Sequence, residues 1–142
     1  MEPTTHRQRL TPRDGGGDDP GTTGSTGRYG EALAARHLTD DDGLAIVARN
    51  WRISAGELRG ELDIVAQAPH GTLVVVEVKT RRDADRFGGA LEALTPQQAR
   101  RLRALTGAFV REAGMRVSAV RLDLVAVDLG RTSTLTHVES AL

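Results

Sequence analysis

The 142-residue chain has no cysteine, which excludes a disulfide framework and any thiolate-held metal. Histidine is sparse. His6, His37, His70 and His137 include no i, i+4 pair, so a histidine-based metal site is not expected. Any metal should be oxygen-ligated, in the chemistry of magnesium, manganese or calcium. Long apolar runs are also missing. The longest is five residues, Leu44 to Ala48, far below the roughly 20 needed to span a bilayer. The N-terminus carries no apolar signal-peptide core. A soluble, cytoplasmic protein without a membrane partner is the expectation. Net charge is absent too, with 19 Lys and Arg against 19 Asp and Glu.

This length suits one domain with a real core and is short for two. Residues 1–25 hold three prolines and five glycines, and Leu10 is their only large apolar side chain after Met1. Such a segment buries too little surface to offset its ordering entropy. A disordered tail over 1–25 and a folded domain over 26–142 are therefore expected.

The stretch from Gly60 to Arg82, GELDIVAQAPHGTLVVVEVKTRR, is the most informative. It reads as two strands joined by a tight turn. Side chains alternate along a strand, so Glu61 and Asp63 share one face of the first, and Glu77 and Lys79 one face of the second. Leu62, Ile64, Val74, Val76 and Val78 are expected on the opposite, core-facing side. Pro69-His70-Gly71 suits a three-residue loop, a type I turn followed by a left-handed glycine. Closing that loop with Ala68 and Thr72 sets Asp63 against Glu77, Glu61 against Lys79 and Val65 against Val75. A one-residue slip would put Asp63 among core valines. Two apposed carboxylates repel unless something positive lies between them. A solvated face with a Glu61–Lys79 ion pair is the plain reading, and a divalent cation is the sharper one.

Ser25 or Thr26 can cap a helix over roughly 27–39. Glu31, Ala35 and Leu38 share a stripe on it, and Gly30 would permit close approach to another backbone. A strand over Leu44–Asn50 follows, with Trp51 packing on the sheet and a loop over Ser54–Gly60. After Lys79 the chain reads as a surface loop to Gly89, with Phe87 alone among charges. Thr95-Pro96-Gln97-Gln98 carries a capping box for a helix ending near Ala113, where Gly114 stops it. Its apolar stripe is Leu102, Leu105, Phe109 and Val110. Val117–Asp128 is a last long strand, and the residues after it carry no signal. A single α/β domain follows, a mixed sheet flanked by helices.

Charge is unevenly spread. Ten basic residues fall between Lys79 and Arg121 against four acidic ones. All but Lys79 are arginine, the side chain best suited to forked phosphate contacts. This suggests a polyanionic ligand, although an ordinary charged helix surface gives the same pattern.

Taken together, the blocks GRYGEALAARHL, GELDIVA, VVVEVKTRR and RLDLVAV resemble the YraN-like family within the PD-(D/E)xK nuclease superfamily, related to Holliday junction resolvases. The resemblance covers about residues 28–128. It implies a restriction-endonuclease-like fold and Mg²⁺- or Mn²⁺-dependent hydrolysis of phosphodiesters in structured or damaged DNA. On this resemblance Asp63, Glu77 and the Val78 carbonyl would hold the metal, with Glu31 binding it directly or through water. Lys79 would position or activate the attacking water, making Glu31, Asp63, Glu77 and Lys79 the catalytic set. Arg81, Arg82, Gln98, Arg100 and Arg103 are the candidate DNA contacts. Where relatives open the second helix with Lys-Gln, this chain has Gln98-Ala99. DNA, branched in the sharpest case, is the expected partner, and two sites on a symmetric homodimer would suit a junction. The alternatives are a catalytically inactive nucleic-acid-binding module on the same fold and an interaction protein whose basic face meets an acidic partner.

Overall fold

The computed structural model describes residues 4–11, 23–82 and 95–141. In chain order the elements are β1 (Thr4–Arg9), α1 (Thr23–Arg36), β2 (Ala45–Ala55), β3 (Leu58–Gln67), β4 (Thr72–Arg82), α2 (Pro96–Ala113), β5 (Ala119–Leu129) and β6 (Thr134–Glu139). The strands form one sheet in the order β1-β6-β5-β4-β3-β2. The β4–β5 pair is parallel and the others are antiparallel. A parallel pair needs a crossover connection, and the segment carrying α2 supplies it. This is the α/β architecture, a mixed sheet with flanking helices, that the sequence implies.

Strand β4 explains the layering. Its near-continuous apolar run, LVVV, is buried on both faces, as central parallel strands are. Val74 and Val76 join Ile64, Val125 and Val127 under Leu33, Ala34 and Leu38 on the α1 side. Leu73 and Val75 join Leu62, Val65 and Leu122 under Leu102, Leu105 and Phe109 of α2. Trp51 packs edge-on against Phe109.

The β3–β4 hairpin takes the expected register, with Ile64 opposite Val76 and Val65 opposite Val75. It closes through the Ala68 N–H and the Thr72 carbonyl at 2.9 Å. The turn differs in one respect: the left-handed conformation begins at His70, with φ 67°, and continues through Gly71. Ser118 fixes it, donating its hydroxyl to the His70 carbonyl at 2.7 Å. Helix α2 has its capping box, Thr95 and Gln98 exchanging hydrogen bonds, and it ends on left-handed Gly114.

Other elements depart from the sequence reading. Residues Thr4–Arg9, assigned to a disordered tail, form edge strand β1 against β6. Every β1 side chain is exposed; the backbone ladder holds the strand, with Arg7 Nε also donating to Thr136 Oγ1 at 3.2 Å, and composition gives no sign of it. The helix assigned to 27–39 starts at Thr23, and its end widens into a π turn over His37–Asp41. The loop assigned to Ser54–Gly60 is mostly strand, because β2 runs on to Ala55 and β3 begins at Leu58. Strand β6 lies in residues that carried no signal. The expected loop beyond Arg82, with Phe87, falls outside the described residues. Among the described residues no helix is long and apolar enough to cross a membrane.

Strict alternation also fails in β3. Leu62 packs on the α2 side while Ile64 packs on the α1 side. Facing this switch, Asn50 lies between the Arg49–Ile64 and Trp51–Leu62 pairs and takes a left-handed φ of 52°. A residue in that conformation breaks the regular pleat. The β3–β4 ladder stops at Ile64–Val76, so the expected backbone pairs of Asp63 with Glu77 and Glu61 with Lys79 do not form.

Candidate metal centre

The site grows from that interruption. Beyond the last ladder pair, Asp63 Oδ2 accepts the Val78 N–H at 2.9 Å. The carboxylate thus takes up a strand donor outside the ladder. Helix α1 crosses the sheet at this point. A Cβ on Gly30 would overlap the Thr80 hydroxyl, so the close approach that glycine permits is to a β4 side chain rather than to backbone. That approach delivers Glu31. Carboxylate oxygens of Glu31, Glu61 and Asp63 lie within 4.8 Å of one another. The Asn50 amide, oriented as a donor, reaches Glu31 Oε2 and Glu61 Oε1, each at 2.9 Å.

Burial raises the carboxyl pKa of Glu31, and the charges of Asp63 and Glu61 raise it further. Burial also raises Asp63, against the opposing Val78 hydrogen bond. Glu77 rises to about 7, through burial first and then the Asp63 charge, with Lys79 opposing. Asp63 and Glu77 are thus both held above the ordinary carboxyl range, by burial first and by their nearness to other carboxylates. Carboxylates crowded this way favour an added positive charge. A hard, oxygen-ligated divalent cation suits the donor set.

The four residues assigned to catalysis are brought near one another, in an arrangement the sequence only partly anticipates. Lys79 Nζ sits 3.4 Å from Glu77 Oε1 rather than pairing with Glu61. Glu61 instead accepts Arg52 Nε at 2.6 Å and joins the acidic cluster, a role the sequence reading missed. Its i, i+2 spacing from Asp63 was the available signal. Val78 contributes its N–H to the arrangement through Asp63.

The candidate DNA contacts scatter. Arg81 and Arg82 are exposed at the end of β4, and Arg82 Nε donates to Thr26 Oγ1 at 3.0 Å. Gln98 is engaged in the α2 cap. Arg100 and Arg103 are exposed on α2, and Arg103 lines a cleft with Arg111 and Arg121. Two unassigned arginines lie nearer the acids. Arg52 and Arg101 line a shallow cleft with Gly60 and Glu61, and Arg101 donates to the Arg59 carbonyl at 2.8 Å.

The sequence profile of the uncharacterised protein family UPF0102 matches residues 30–127, from the helix that carries Glu31 to the end of β5. The chain belongs to this family. UPF0102 proteins from Mycobacterium sp. (strain KMS) and Streptomyces coelicolor are 45% and 47% identical to it. The first alignment covers 82% of this chain and 84% of the relative, the second 80% and 83%. A UPF0102 protein from Mycolicibacterium gilvum is 46% identical over 83% of this chain and 94% of its own length. The aligned UPF0102 core includes the acidic cluster and Lys79.

Proposed function

We propose that this protein is a divalent-metal-dependent endonuclease acting on phosphodiesters of structured or damaged DNA. The observation that carries the reading is the convergence of Glu31, Glu61 and Asp63 within 4.8 Å, beside a Glu77–Lys79 pair at 3.4 Å. In this reading Glu31, Asp63, Glu61 and Glu77 would hold Mg²⁺ or Mn²⁺, which would supply Lewis-acid polarisation of the phosphate and a more acidic water. Asn50 holds Glu31 and Glu61 in place, and the Val78 N–H orients Asp63. The Lys79 ammonium offsets charge that develops on the phosphorus centre, the kind of fixed-charge stabilisation that is usually the largest catalytic term. Arg52 and Arg101 flank the acids and offer phosphate contacts close to the metal ligands. Arg81, Arg82, Arg100 and Arg103 would extend that contact along the backbone, and DNA affinity should then fall steeply with salt.

Branched, flapped and nicked DNA incubated with Mn²⁺ or Mg²⁺ tests the proposal. The wild type should cleave at least one substrate, and Asp63→Ala and Glu77→Ala should not. The metal should also raise the wild-type thermal midpoint and leave that of Asp63→Ala unmoved. Absence of both cleavage and a metal-dependent shift overturns it. The Arg52–Glu61 ion pair favours a second reading, a nucleic-acid-binding module that no longer cuts, because it already neutralises one acid without a metal. Salt-sensitive DNA binding without cleavage would select that reading.

A further inference from the structure

A second convergent cluster lies where α1 ends against β6. His37 and His137 stand 100 positions apart in the chain, yet His37 Nε2 and His137 Nδ1 are 3.0 Å apart. Asp42 Oδ2 is 3.1 Å from His137 Nδ1 and 3.6 Å from His37 Nε2. The π turn creates this closeness. Its wide Asp42 N–H to His37 carbonyl bond returns Asp42 to the imidazole that starts the turn. Such wide turns often mark functional positions.

The outer nitrogens of both rings are committed. His37 Nδ1 lies 2.8 Å from Asp41 Oδ2, and His137 Nε2 lies 2.8 Å from Asp123 Oδ2. Asp123 is fully buried and also accepts Arg121 Nε at 2.9 Å and the Ser140 N–H at 3.0 Å. A carboxylate accepts, so each ring must place a hydrogen on its outer nitrogen. In neutral imidazoles the inner nitrogens are then bare lone pairs. Two such lone pairs and a carboxylate oxygen facing one another need a positive centre, which is a proton or a metal.

A proton joins two of these atoms at a time, whereas a metal can meet all three. Zinc bonds nitrogen at about 2.0–2.1 Å in a tetrahedron, which spaces neighbouring ligand atoms roughly 3.3 Å apart. The three observed separations, 3.0, 3.1 and 3.6 Å, bracket that edge. Zinc-bound histidines characteristically anchor the other ring nitrogen on a carboxylate, and both rings here do so. We infer that His37 Nε2, His137 Nδ1 and Asp42 Oδ2 form a binding site for a borderline transition-metal ion of the zinc class, separate from the carboxylate centre. The histidines are buried, and Asp42, with its side chain 24% exposed, gives the ion access from solvent. A bound ion would pin the end of the helix bearing Glu31 to β5 and β6.

The test uses the full chain, stripped with a chelator, in a Glu31→Ala/Asp63→Ala background that silences the acidic cluster. Zinc affinity is read by competition with a chromophoric chelator, and Co²⁺ replaces zinc to report four-coordinate geometry in its visible absorption. One tight equivalent and the tetrahedral cobalt signature are expected. Asp41→Asn, a half-exposed position, should weaken zinc about 10–100-fold through its effect on His37. Asp42→Ala should remove the cobalt signature. No tight equivalent, or an affinity unchanged in Asp42→Ala, means that a shared proton joins the two rings, and overturns the site. Asp41 and Asp42 are exposed, so the result stands even if a His37→Ala or His137→Ala protein fails to fold. DNA cleavage is not a readout, so the outcome is independent of the nuclease proposal.

Discussion

Glu77 ties the acidic centre to the stability of the whole chain. Its carboxyl titrates near 4.5 in an unfolded chain and is raised to about 7 in the fold, so between those values the folded state holds a proton that the unfolded state has released. The stabilising contribution is complete below about pH 4.5 and is lost as pH rises through about 7. Glu31 and Asp63 are shifted upward as well and add to the same slope. Asp123 works in the opposite sense. Burial pushes it up, but hydrogen bonds from His137, Arg121 and Ser140 outweigh that and hold it below 3.8. Its contribution is present above 3.8 and lost at lower pH, outside the Glu77 window. Metal-free protein should therefore lose stability between about pH 4.5 and 7 relative to Glu77→Gln. Urea midpoints of the two proteins across that range check this, and parallel curves would falsify it. On the proposed metal reading, in which the cation would bind the ionised carboxylates, saturating Mg²⁺ should remove most of the difference.

At the scale of elements, the contact between α1 and β4 determines whether Glu31 reaches the site. Gly30 is buried against Thr80, and a glycine inside a helix costs about 0.5–1 kcal/mol relative to alanine. Gly30→Ala should nonetheless destabilise by about 1–3 kcal/mol, because the added methyl meets Thr80 and overpacks the contact. A Gly30→Ala/Thr80→Ala double-mutant cycle in urea should show a coupling of at least about 0.5 kcal/mol. Additive effects would mean that the helix shifts freely, and that Gly30 does not set its position. The capping box of α2 and the Pro69–Gly71 turn belong to this scale too. Both were legible because capping and turn chemistry involve residues within a few positions of each other. The end of α1 was not legible, because a π turn answers to what its side chains meet on β6.

For the molecule as a whole, burial of both sheet faces is the main stabilising term. Leu105 of α2 is 1% exposed and touches the cluster built on Leu62, Val65 and Val75. Leu105→Ala should cost about 2–5 kcal/mol, read as a lower urea midpoint at unchanged slope. A changed slope would mean that the two faces unfold separately. The six-stranded extent of the sheet was not visible in sequence. Strand β1 buries no side chain, and β6 packs mainly through Leu135, Thr136 and His137. Neither offers the alternating apolar pattern that marks a half-buried strand.

The sequence by itself determined the β3–β4 register from the turn to the Ile64–Val76 pair and the limits of α2. Each follows from period-two alternation and turn chemistry within a short stretch. Tertiary structure alone decided that Glu61 turns toward Glu31, because the reversal of face depends on left-handed Asn50 in a different strand. It also decided that His37 meets His137. Spacing along the chain made a histidine site look excluded, but a sheet brings together residues that no local period relates.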